Sequence, residues 1–286
     1  MRSSSDRPRG LVIGDAVIDL YRGPDGTSER VGALGNVAGC LDPSAADWVV
    51  VTAHPAPDRV ARAMRVNDNR TLHVFRLEEA PENIVYYDVR GGSAVCIADE
   101  PGPGALSPHA TREIEAIIAN GGFDVVAVAD YGLGVMLPPV RAAVSAHVIA
   151  HGGIAFVDSR HADYEGYGEG MFMLPNAAEC ARLVSATAPT AAARALVARF
   201  SAAGVFLKRG SAGLTVLIGG DAFDIPARRV PLNDAAGAGD YLLAELASSV
   251  ARSALSRATI ESAVRRVEGR LSTVGGGLIR PAVVAD

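Results

Sequence analysis

No apolar run in this chain reaches the roughly twenty residues needed to span a membrane. The start, Met1 to Gly10, is polar, lacks the apolar core of a signal peptide, and its first nine residues read as a loose tail. Cysteine is scarce: Cys40, Cys96 and Cys180 lie far apart and form no C-x-x-C pair, so they read as small buried hydrophobes of a reducing compartment. The six histidines are scattered without metal-ligand spacing. Charge of one sign is nowhere concentrated, with 27 basic against 32 acidic residues and a net charge of −5. That balance leaves no electrostatic footprint for nucleic acid or an anionic membrane, while a small anionic substrate stays possible at a locally positive site. These absences point to the cytoplasm. A G-x-x-x-x-G-K-[ST] phosphate loop is absent, and the pairs Gly102/Gly104 and Gly132/Gly134 lack the strand–turn–helix setting of a dinucleotide fingerprint.

What is present is a repeated pattern over 286 residues, 49% of them hydrophobic. Short, unalternating, branched runs recur: Leu11–Ile13, Trp48–Val51, Val125–Ala129, Ile154–Val157 and Val205–Leu207. Such runs suit strands buried on both faces. Each ends in polar residues, among them Gly14-Asp15, Asp130, Asp158 and Lys208-Arg209-Gly210. Helical spacing fills Thr111–Asn120, Pro138–Ala150 and Ala191–Phe200. Strands alternating with helices predict an α/β fold, a doubly wound, mostly parallel sheet flanked by helices, whose carboxyl edge is where ligands bind. No linker or repeat interrupts it, so residues 1–286 read as one domain.

Two segments break the alternation. Residues 17–34 hold β-prone pieces around Gly23-Pro24-Asp25-Gly26, and residues 83–98 place two β-prone runs around Gly91-Gly92, a hairpin signal. Together they predict a small β lid, serving as cover, dimer contact or both. The plain alternative is an edge extension of the main sheet.

The most informative stretch is Asp234-Ala235-Ala236-Gly237-Ala238-Gly239-Asp240, which opens the apolar helical run Tyr241–Ala247. Glycines at a helix start leave backbone N–H groups uncovered, and these with the helix dipole hold anions. A carboxylate among such donors repels a resting anion. It fits a base that removes a proton while the amides stabilise a phosphoryl group in transfer. A glycine-rich turn with an acidic first helical turn is the plain alternative.

Several motifs in order make the chain resemble the ribokinase-like (pfkB) carbohydrate kinases. Asp234–Asp240 is similar to that family's D-x-x-G-A-G-D signature and Pro175-Asn176-Ala177-Ala178-Glu179 to its P-N-x-x-E motif. Lys208–Gly213 resembles its nucleotide loop, and Gly14-Asp15 with Gly35-Asn36 its sugar-binding elements. A narrower resemblance, to the kinase domain acting on D-glycero-D-manno-heptose 7-phosphate, rests on Gly14–Tyr21, Ala129-Asp130-Tyr131-Gly132-Leu133-Gly134, Val157–Arg160, Leu174–Asn176 and the Tyr86–Ile97 hairpin.

The resemblance implies transfer of the γ-phosphoryl of ATP, with magnesium, to a sugar hydroxyl, and a homodimer joined through the lid. It implies that Asp240 is the base and that the amides of Gly237, Ala238 and Gly239 hold the developing charge. The helix start beside Asp240 is expected to lower its basicity. Asp15, Asp19, Gly35, Asn36, Arg90, Asp130 and Arg160 become candidates for the substrate, the two arginines for a substrate phosphate. Asn176, Glu179, Lys208, Gly210, Gly213 and Asp234 become candidates for the nucleotide, with Glu179 holding magnesium through water. Leu271–Gly277 would wall the adenine. Plainer roles stand beside these: a helix cap for Asn176 or Asn36, a turn for Gly210 and Gly213, and solvated charge for Asp19, Arg90 or Arg160. The chain departs from the family at Ala33, at Ala235-Ala236, at Tyr241 and in a short Thr52–Arg70 region, which bears on the sugar more than on the reaction. The alternatives are a kinase of another sugar or nucleoside and a catalytically silent binding homologue.

Overall fold

A computed structural model of the chain describes residues 7–24, 26–64, 70–90, 93–99, 101–160, 163–229 and 237–273. Its strands are β1 (Arg9–Gly23), β2 (Gly26–Ala33), β3 (Asp47–His54), β4 (Thr71–Glu78), β5 (Ile84–Arg90), β6 (Ser93–Asp99), β7 (Ala105–Leu106), β8 (Val125–Asp130), β9 (Ile154–Ser159), β10 (Met171–Met173), β11 (Gly204–Lys208), β12 (Leu214–Ile218) and β13 (Asp221–Ile225). Its helices are α1 (Leu34–Cys40), α2 (Pro57–Ala63), α3 (Pro108–Asn120), α4 (Pro138–His151), α5 (Ala177–Leu183), α6 (Pro189–Phe200), α7 (Ala238–Arg252) and α8 (Arg257–Thr273).

The sheet runs β13-β12-β11-β10-β9-β8-β1-β3-β4-β7. From β11 to β4 the neighbours are parallel, while β12, β13 and β7 are antiparallel edges. Side chains alternate across it, as the pleat requires. Val12, Val50 and Ala127 point into a core shared with α1, α7 and α8, whereas Leu11, Ile13, Val51 and Val128 point into one shared with α3, α4 and α6. This doubly wound arrangement agrees with the expectation from the sequence.

The lid is a continuation of the main sheet's central strand. β1 pairs with β3 and β8 through its first half, then with β2 and β5 through its second, and β6 completes the hairpin. The expected hairpin is present, but Leu11–Ile13 is not a separate strand ending at Gly14-Asp15. The loose tail is corrected in part: Arg9 opens β1 with its N–H on Asp124 Oδ2 at 2.9 Å, and Arg7 lies 3.3 Å from Asp47. Cys40 and Cys180 are buried as expected, but Cys96, on β6, is exposed. Among the described residues no helix is long and apolar enough to cross a membrane.

Candidate active site

Helix α7 begins on the expected stretch. Its N-cap, Gly237, takes φ 78°, a left-handed conformation that favours glycine, and among the described residues no side chain caps the end. The first N–H groups of this fifteen-residue helix have no partner within the helix. Asp240, in that first turn, is buried and held on both oxygens: Asn36 Nδ2 donates to Oδ2 at 2.9 Å and the Tyr131 hydroxyl donates to Oδ1 at 2.8 Å. Burial pushes its pKa up to about 6, against those two hydrogen bonds. The expectation of lowered basicity is corrected: desolvation of the carboxylate outweighs both donors.

Beside this turn, Lys208 Nζ meets Asp158 Oδ2 at 2.6 Å, and the pair packs so closely on Gly239 that a Cβ there would lie 3.2 Å from both atoms. Lys208 draws the Asp240 pKa down and Asp158 pushes it up. Asp158 is the last residue but one of β9 and Lys208 ends β11, so α7's amino end, the base and this ion pair converge on the carboxyl edge of the sheet. Nearby, Asn176 and Glu179 form a reciprocal capping box on α5, with N···O distances of 2.9 and 2.7 Å. The plain reading of Asn176 as a cap therefore holds. Glu179 is buried, and burial raises its pKa while Lys208 draws it down.

Gly210 and Gly213 bound a single 3-10 turn after β11, and a Cβ on Gly213 would collide with the Ile225 carbonyl. Asn36 lies inside α1 rather than capping it, the N-cap being Ala33. Gly35 gives α1 its close approach to β2, since a Cβ would sit 2.7 Å from Val31. Asp19 is buried rather than solvated, takes the Tyr21 hydroxyl at 3.4 Å and Arg30 Nε at 3.3 Å, and lies against Gly32, where a side chain would not fit. Arg160 is exposed, with its guanidinium 5.3 Å from the centre of the Tyr131 ring. Arg90 ends β5.

Two expected substrate contacts are buried on the protein's own groups. Asp15 is fully buried, and its carboxylate accepts the backbone N–H groups of Tyr131, Leu133 and Val135 at 2.8, 3.1 and 3.0 Å. Asp130 is buried against Arg141 at 3.0 Å and the Tyr167 hydroxyl at 2.6 Å, and it also accepts the Gly132 N–H. Both carboxylates face inward and shape the loop after β8. Asp234, with Ala235 and Ala236, and residues 274–277 of the expected adenine wall lie outside the described residues, and Leu271 belongs to the core. The residues missed are Tyr131 and Asp158. Both sit in quoted motifs, Ala129–Gly134 and Val157–Arg160, but the weight fell on their neighbours.

For a magnesium ion, the donor set suits a hard cation held through water. Glu179 and Asp158 are carboxylates beside Lys208, close enough that Asp158 pushes the Glu179 pKa up while Lys208 draws it down. Among the described residues no three metal-binding side chains converge on a direct site.

Comparison with known proteins agrees with this fold. Phosphofructokinase-2 from Escherichia coli, solved in complex with substrates and products, superposes with a TM-score of 0.73, covering 94% of each chain at 15% identity. Ribokinase from Arabidopsis thaliana, solved with ribose and ATP, gives a TM-score of 0.66 over 93% of this chain and 92% of that one at 16% identity. The chain has the ribokinase-like fold. By sequence it is similar to proteins named "Bifunctional protein HldE". That of Gluconacetobacter diazotrophicus is 34% identical over 167 residues, covering 56% of this chain and 34% of the relative. That of Citrifermentans bemidjiense is 26% identical over 280 residues, covering 85% and 55%. The chain thus spans about half or less of the length of these curated relatives. No protein-family model matches it.

Proposed function

We propose that this ribokinase-like chain is an ATP-dependent sugar kinase, one domain with a β lid, that transfers the γ-phosphoryl of ATP to a hydroxyl of a sugar phosphate. The observation that carries the reading is the buried Asp240 at the uncapped start of α7, oriented by Asn36 and Tyr131 beside the Lys208–Asp158 pair. For the acceptor we favour a heptose 7-phosphate and its anomeric hydroxyl. The support is the Ala129–Gly134 motif and the similarity to the proteins named HldE.

In this reading the sugar hydroxyl donates its proton to Asp240 as its oxygen attacks. The transition state of such a transfer is loose, so positioning and charge stabilisation dominate. The N–H groups of Ala238 and Gly239, at the positive end of α7, face the charge that develops, and the left-handed Gly237 shapes the turn that exposes them. Lys208 adds a cation on the same side. Asn176 and Glu179, rigid through their capping box, would hold magnesium through water, with Asp158 nearby, and the ion would neutralise phosphate charge. Gly210 and Gly213 would take the nucleotide. Asp19, Gly35 and Asn36 would meet sugar hydroxyls, and Arg160 and Arg90 a substrate phosphate. The lid edge would join two copies.

A raised base suits the task, since an acceptor near neutral pH is more effective than an ordinary carboxylate. ADP release against a panel of sugar phosphates, sugars and nucleosides tests the proposal, with heptose 7-phosphate expected to be turned over fastest. Asp240→Asn should lower turnover by roughly 10²–10⁴-fold and leave ATP binding in place. Release with another sugar or nucleoside alone would replace the acceptor; release with none would leave a silent binding protein.

A further inference from the structure

Tyr131 connects the base to the surrounding scaffold. Its hydroxyl is on Asp240 Oδ1 at 2.8 Å. Its ring packs on the apolar patch beneath the lid, Val17, Ala33, Val85 and Leu133, and carries the Arg160 guanidinium 5.3 Å away. Its backbone N–H is fixed by Asp15 Oδ2 at 2.8 Å, from a strand more than a hundred residues earlier.

The torsion that turns a carboxylate about its last bond is broad and nearly two-fold, so one donor leaves it free to rock. Donors on both oxygens remove that freedom. Asn36 takes Oδ2 and Tyr131 takes Oδ1. The lone pairs that remain are confined in direction, beside the first turn of α7. We propose that Tyr131 is a positioning residue for phosphoryl transfer: it fixes the plane of the Asp240 carboxylate and stabilises its charged form. The role falls to a residue outside the glycine signature, and it explains why Asp15 has all its oxygens on the loop that carries Tyr131. The proposal rests on the kinase reading above.

Tyr131→Phe tests it, because the ring, its lid patch and its contact with Arg160 are retained and only the hydroxyl is lost. Turnover should fall about tenfold, with the KM for ATP within about twofold. The acid limb of the pH–rate profile should move up by about one pH unit, because a hydrogen bond to the charged form is gone. A second readout needs no substrate: the infrared band of the protonated carboxyl that disappears in Asp240→Asn. Its titration midpoint should move up with the limb. A fall in turnover with limb and midpoint unchanged overturns the proposal. If the wild-type protein turns over no acceptor, the kinase reading has failed, and the infrared midpoint alone decides whether Tyr131 sets the Asp240 carboxylate.

Discussion

Three buried aspartates lie near the carboxyl edge of the sheet, and what separates them is who donates to them. Asp15 receives three backbone N–H groups and Asp130 an arginine, a tyrosine and a backbone N–H, so both serve the scaffold. Asp240 receives two side chains and stands in the first turn of α7. No local pattern shows this, because the partners of Asp15 lie 116–120 residues away. Asp240 itself was legible, since glycine and carboxylate at a helix start are local. The Asp158–Lys208 pair gives the site a prediction of opposite signs. Asp158 pushes the Asp240 pKa up and Lys208 draws it down. Asp158→Asn should therefore move the acid limb of the pH–rate profile down, and Lys208→Met should move it up, both read from kcat/KM between pH 4.5 and 8. These limits bracket about 6, where the limb itself is expected. Shifts in the same direction would show that the pair does not act on the base through charge.

At the scale of elements, β1 is the member that makes the site possible, because one continuous strand carries both the main sheet and the lid. Its passage from one to the other is at Gly14. There φ is 151°, and an added Cβ would fall inside the Ala129 carbonyl of the neighbouring β8. The sequence placed a strand end here because Gly14-Asp15 interrupts the apolar run; burying Asp15 in mid-strand requires donors that only the distant loop supplies. The lid hairpin was legible because its signal, two β-prone runs around Gly91-Gly92, is local in the sequence. Helix α8 was overlooked, although Ile260, Ala263, Val264, Val267 and Leu271 recur at helical spacing, because charged residues dominate its exposed side. Gly14→Ala should cost about 3 kcal/mol in urea unfolding, combining backbone strain with overpacking. Gly26→Ala, at φ 122° but with open space around it, carries strain alone and should cost about 1 kcal/mol. Equal losses would refute the close approach of β1 and β8 as the reason for Gly14.

For the whole molecule, the site is a place where the fold gives up stability. A carboxylate whose pKa rises from 3.8 to about 6 on folding binds its proton more tightly in the native state. Its contribution to stability is therefore full below pH 3.8 and is lost as the pH rises through 6. A shift of about two units corresponds to about 3 kcal/mol. Asp240→Asn removes the charge while keeping an acceptor for one donor and a donor for the tyrosine oxygen. The variant should be more stable than the wild-type protein at pH 7.5, and the gap should shrink by about 3 kcal/mol as the pH falls to 4. Urea unfolding of both proteins at pH 4, 5, 6 and 7.5 measures this directly. A gap independent of pH would mean that Asp240 titrates alike in the folded and unfolded chains, and the buried base would then lose its main physical support. A gap that closes through pH 6 would tie the protein's lowered stability to the group proposed to take the proton.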